Sequence, residues 1–157
     1  MMIFGRQRVV TAAPTIGTDA YTANDVIGGL LTFDISNAGG GGIVRWTRIV
    51  DDDNEKAELA LYLFNELPST IADDAAFAPT VSDLKKMIGK VLIQAADYET
   101  INGNAVAIIG RGVSTDDVNI DAPTNTGKLY GYLVCTATPT YSAATDLTVS
   151  LGLWLDG

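Results

Sequence analysis

The feature that most constrains this chain is a period of two. In LTFDIS, Leu31, Phe33 and Ile35 alternate with Thr32, Asp34 and Ser36. In DLTVSLGLWLD, Leu147, Val149, Leu151, Leu153 and Leu155 alternate with Thr148, Ser150, Gly152 and Trp154. Successive strand side chains point to opposite faces, so this spacing predicts antiparallel strands with one face buried. VRWTRIV reads as Val44, Trp46 and Arg48 on one face and Arg45, Thr47 and Ile49 on the other. ELALYLFN sets Leu59, Leu61 and Leu63 against Ala60, Tyr62 and Phe64, which predicts cover on both faces. RVVTAAPT, KVLIQAADY, NAVAIIGRG and KLYGYLVCTA bring the total to roughly eight strands, the number of a sandwich or barrel. The expected fold is all-β: an antiparallel β-sandwich, jelly-roll-like, with one short helix.

The connections carry their own signals. NAGGGG at residues 37–42 is a loop, Asn102-Gly103 is a hairpin turn, and DAPTNTGK and ATPTYSAATD are loops by composition. The helix is expected in PTVSDLKKMIGK, where Ser82 caps, Asp83 sits in the first turn and Gly89 ends it. Leu84, Met87 and Ile88 would then share a face against the sandwich. No linker divides the chain. Residues 1–8 stand apart as a basic, apolar N-terminal arm or frayed end, and residues 9–157 form the single domain.

Charge narrows the partners. The 157 residues carry a net charge of -9, with +1 in the first fifty residues and -10 in the rest. An acidic surface repels phosphate backbones and anionic lipid, which argues against nucleic acid and membrane as partners. MMIFGRQRVV lacks the order of a signal peptide. The one cysteine, Cys135, lies in an apolar run and reads as a small core side chain. The chain has no histidine, which removes the commonest general base, the commonest zinc ligand and every Ser-His or Cys-His pair.

Several residue groups invite a chemical reading. Asp51, Asp53 and Glu55 in DDDNEK match the first ligands of a helix-loop-helix calcium loop, but Lys56 and Tyr62 stand where it needs glycine and glutamate. A solvated turn between strands is the expectation, with a looser calcium site as its rival. Asp73-Asp74 and Asp116-Asp117 read as loop tips rather than a carboxylate pair. Gly39–Gly42 lacks the lysine and helix of a phosphate loop, and Ser114 has no histidine to activate it. Trp46 and Trp154, with Tyr21, Tyr130, Tyr132 and Tyr141, suit either a core or interface, or a sugar platform. No catalytic, cofactor or metal residue is assigned, and no enzyme activity is expected.

Three segments together carry a resemblance: APTIGTDAYTANDVIGGLLTF, then IVDDDNEKAELALYLFNELPSTIADDAAFAPTVSDLKKMIGKVLI, and LYGYLVCTATPTYSAATDLTVSLGLWLDG. In this order they resemble a family of small virion structural proteins of tailed bacteriophages, from about residue 10 onward. The resemblance implies a β-sandwich that decorates or cements the capsid shell. It would contact the major capsid protein and copies of itself as a trimer, on a virion made in the host cytoplasm. It carries no catalytic residue or cofactor. Ile3 and Phe4, with Arg6 and Arg8, are the expected anchors of a docking arm. The rival reading is a glycan- or receptor-binding module of a tail fibre or neck.

Overall fold

A computed structural model describes residues 5–35, 41–110 and 127–156 and the backbone of residues 118–120. Its strands are β1 (Arg6–Ala12), β2 (Val26–Asp34), β3 (Gly42–Asp51), β4 (Leu59–Phe64), β5 (Met87–Ile93), β6 (Tyr98–Ile101), β7 (Asn104–Ile109), β8 (Val118–Ile120), β9 (Lys128–Cys135) and β10 (Leu147–Leu155). One sheet runs β1-β10-β3-β7-β6, with β8 also on β3, and the other β2-β9-β4-β5. Every pairing is antiparallel. The first strand pairs with the last, and the second with the last but one. This is a long hairpin rolled onto itself, the jelly-roll order, enlarged by the β6–β7 hairpin. The predicted sandwich class is therefore present. No helix among the described residues is long and apolar enough to cross a membrane.

The alternation explains the core. Phe33, Ile35, Leu61, Leu63, Leu133, Val149 and Leu151 meet between the sheets, all buried, together with Cys135. Asn102-Gly103 forms the expected hairpin turn, both residues with positive φ (51° and 82°).

β3 departs from the simple reading. Leu153 pairs with Val44 and Gly152 with Trp46, so Arg45 is the extra residue of a bulge. A one-residue insertion flips the parity of everything beyond it. Val44 thus joins Thr47 and Ile49 on the core side, while Trp46 and Arg48 turn outward. A second irregularity lies in β2, where Gly28 and Gly29 are skipped by the register and have φ of 80° and 68°. A Cβ on Gly28 would stand 2.3 Å from Pro14, so both φ and space require glycine there.

The expected helix shrinks to one turn, α1 (Val81–Leu84). Thr80, not Ser82, caps it, in a reciprocal box with Asp83. Gly89 does not end it, because Met87 already begins β5 and pairs with Phe64. Leu84 is half exposed rather than packed on the sandwich. The β-rich run from Ile88 to Ile93 gains a ladder on β4, which outweighs one further helical turn. Of the arm expected over residues 1–8, residues 1–4 lie outside the described residues. Arg6, Gln7 and Arg8 are the first rungs of β1, paired with Leu155, Trp154 and Leu153.

Candidate interaction face

The two sheets differ in what covers their outer faces. On the β2-β9-β4-β5 sheet, Phe64, Tyr130, Tyr132, Val134 and Val26 form a second apolar cluster. The connection from β4 to β5 crosses it as a strap. Phe77 stacks on Tyr62, with ring centroids 4.5 Å apart, and lies 5.8 Å from the Tyr132 ring. The Tyr132 hydroxyl donates to the Ser69 carbonyl at 2.5 Å and accepts from the Ile71 amide at 3.0 Å. At the sheet edge, Val26 N–H donates to Ala75 O and Asp74 N–H donates to Val26 O. The chain thus covers this face and pairs part of its edge, as the two-sided apolar pattern of β4 predicts.

Two carboxylates fasten the strap. Asp83, buried, accepts from the amide and hydroxyl of Ser69 and of Thr80 at 2.8–3.1 Å. The Ser69 amide is the chief cause that holds its carboxyl down to about 2, with the Thr80 hydroxyl next. Asp73 accepts from the Gly28 amide at 2.6 Å and from the Tyr21 hydroxyl at 2.7 Å. Burial, then the Asp73 bond, pushes the Tyr21 hydroxyl well above its ordinary range. Asp73 is therefore a fastener and not a solvated loop tip. Asp116 and Asp117 lie outside the described residues.

The acidic turn also differs from the solvated turn expected. Asp51 is fully buried, and its two oxygens accept the amides of Asp53 (3.0 Å) and Lys56 (2.9 Å). Burial raises its carboxyl above the ordinary value. Asp53 accepts from the amide and hydroxyl of Ser142, tying the turn to the β9–β10 loop. Asn54 and Lys56 take positive φ. Among the described residues no group of three or more acids, cysteines or histidines could hold a metal ion. The carboxylates of Asp51 and Asp53 are occupied as turn acceptors, a role that spacing alone does not reveal.

Among the described residues, no strap crosses the outer face of the β1-β10-β3-β7 part of the other sheet. Val9, Trp154, Trp46 and Ile108 stand on it, with Val9, Ile108 and Trp154 at least 39% exposed. The Trp46 indole lies across Gly152, where a Cβ would come within 2.0 Å of the ring. The Arg48 guanidinium sits 5.5 Å from the Trp46 ring and donates to Ser150 Oγ at 3.3 Å, which in turn pairs with Thr11. Gly5 passes so close to Trp154 that any side chain there would overlap the indole. A cleft of about 460 Å³ opens here, lined by Gln7, Arg8, Val9, Arg45, Trp46 and Trp154 among others.

Of the six aromatics weighed as a platform, the structure brings Trp46 and Trp154 together on this face. Tyr21, Tyr130, Tyr132 and Tyr141 are buried. Trp46 stands opposite Gly152, two residues before Trp154 on β10, on the face it shares with Arg48, and the bulge at Arg45 changes only the residues beyond it, turning Val44 inward. Cys135 is a core thiol whose pKa burial raises, as its apolar surroundings predict.

The fold and this face together define a jelly-roll β-sandwich in which the strap covers one sheet and no described segment covers the β1-β10-β3-β7 face of the other. No family model matches the chain, and no curated protein matches it. The K3 cleaved adhesin domain of Lys-gingipain from Porphyromonas gingivalis W83 is similar at a TM-score of 0.39 and 14% identity, over 95% of this chain and 74% of that one. A marine algae virus of the order Picornavirales gives a TM-score of 0.21 and 13% identity, over 99% of this chain and 68% of that one. Neither likeness is close enough to carry an argument about function.

Proposed function

We propose that this protein is a structural component of a tailed-phage virion, decorating or cementing the capsid shell through protein-protein contacts. Its task on this reading is binding, not turnover. The observation that carries the reading is the asymmetry of the two outer faces. The chain spends a whole connection on one aromatic sheet face, and among the described residues Val9, Ile108 and Trp154 stay exposed on the other, with Trp46 half-buried beside them. Exposed apolar surface flanked by arginine, with tryptophan at its centre, is the composition of protein interface hot spots. Jelly-roll sandwiches also build viral shells, although the fold alone assigns no function. The segment resemblance to phage virion proteins points the same way.

The test is occupancy. Shells assembled from the major capsid protein of the same genome are mixed with this protein or with Trp154→Ala, then imaged and sedimented. Wild type should co-sediment and add ordered density, and Trp154→Ala should bind at least about tenfold more weakly. A protein that leaves shells bare at every concentration ends this reading.

A second reading rests on the cleft itself. Two tryptophans and arginines around about 460 Å³ also suit a glycan, within the size range of ligand pockets. Binding to a glycan array that Trp154→Ala abolishes, with shells left bare, would favour it.

A further inference from the structure

Charge in this molecule is sorted along the strand axis. β3 spans ten residues, roughly 30 Å. Towards its start lie Arg45 on β3 and Arg6 and Arg8 on β1, paired to the last residues of β10. Beyond its end lie the acidic turn of residues 51–55, Glu58 and Asp146, and beside it Asp97 and Glu99, with Lys56 as the one cation in that group. Among the described residues, one end of the sandwich carries the arginine-lined aromatic cleft, with Asp156 next to Arg6 as its nearby acid, and the other end is strongly acidic.

The acidic end also offers a projection. Ile101 precedes the Asn102-Gly103 turn and is 54% exposed. Gly103 has no atom within 4 Å of where a Cβ would be. Thr100 Oγ1 lies 3.0 Å from Asn54 Oδ1, which locks this hairpin tip beside the acidic turn. An apolar knob ringed by carboxylates therefore faces away from one end. A cleft with apolar walls, Val9 and Trp154, and two arginines, Arg8 and Arg45, opens near the other.

The geometry points to a head-to-tail contact between copies of this chain, in which the β6–β7 hairpin tip and acidic turn of one copy seat in the Trp–Arg cleft of the next. The inference rests on the reading that the open face docks protein, and it names the occupant as a second copy. Opposite charges meet in this arrangement. A face-to-face dimer would instead set the arginines of one copy against those of the other. Because the two contacting surfaces differ, the contact repeats, and it closes a ring where the rotation allows.

Charge reversal tests it. Arg8→Glu with Arg45→Glu makes the cleft acidic, and Asp52→Lys with Glu99→Lys makes the opposite end basic. All four positions are exposed, so thermal melts of both variants should overlay wild type. By light scattering and sedimentation, wild type should associate at low salt and weaken as salt rises. Each variant alone should associate at least about tenfold more weakly, and an equimolar mixture of the two should recover association. The contact is overturned if wild type stays monomeric throughout, or if the mixture does no better than its components. Shell binding measured on the same samples separates the two ideas, since a monomer that still binds shells overturns this contact and leaves the docking role standing.

Discussion

Single residues here settle questions that their type leaves open. Asp83 works as a multiple acceptor on the strap, and its depressed carboxyl gives a pH signature. With a folded pKa of about 2 against an ordinary 3.8, its contribution is full above about pH 4 and is lost as pH falls towards 2. The protection factor of the Ile71 amide, its exchange rate relative to an unstructured amide at the same pH, should fall across that window, and Asp83→Asn should flatten the response. Tyr132→Phe removes the partner of the half-buried Ile71 amide and of the Ser69 carbonyl and should lower stability by about 0.5–1.5 kcal/mol in urea unfolding. Gly152 is as specific. Gly152→Ala drives Trp46 from its seat, which should cost about 1–3 kcal/mol and shift tryptophan emission to the red.

At the scale of elements, β1 and the strap carry the least obvious roles. Residues 6–8 look from the sequence like part of a detachable arm, yet they form three rungs of β1 on β10. Removing residues 1–8 strips the edge beside Leu153 and Leu155, whereas removing residues 1–4 leaves β1 whole. The longer deletion should therefore melt at a clearly lower temperature than the shorter one in calorimetry. Equal melting temperatures would mean that the first rungs of β1 contribute nothing. This also changes how a docking arm is tested, because only the shorter deletion separates docking from folding.

For the whole molecule, the sorting of charge and the unequal cover of the two sheets matter more than any one group. A net charge of -9 says only that the chain avoids polyanions. The fold gathers Arg8 and Arg45 around an aromatic cleft and sets the acidic turn about a strand's length away. The head-to-tail contact proposed above uses both of these surfaces.

The alternating leucines of β10, the apolar pattern of β2, the doubly apolar β4 and the Asn102-Gly103 turn each dictate local structure that holds in the fold. They do so because a period of two and a left-handed turn are properties of a few neighbouring residues. Three features wait for tertiary contacts: the bulge at Arg45 that turns Val44 inward, the strap held by Asp73 and Asp83, and the burial of Asp51 as a turn acceptor. Each depends on partners distant in sequence, such as Gly152 for Trp46 or Ser142 for Asp53. A strand's own pattern records which side chains avoid water, but register shifts and buried carboxylates are decided by what the opposite strand or loop supplies.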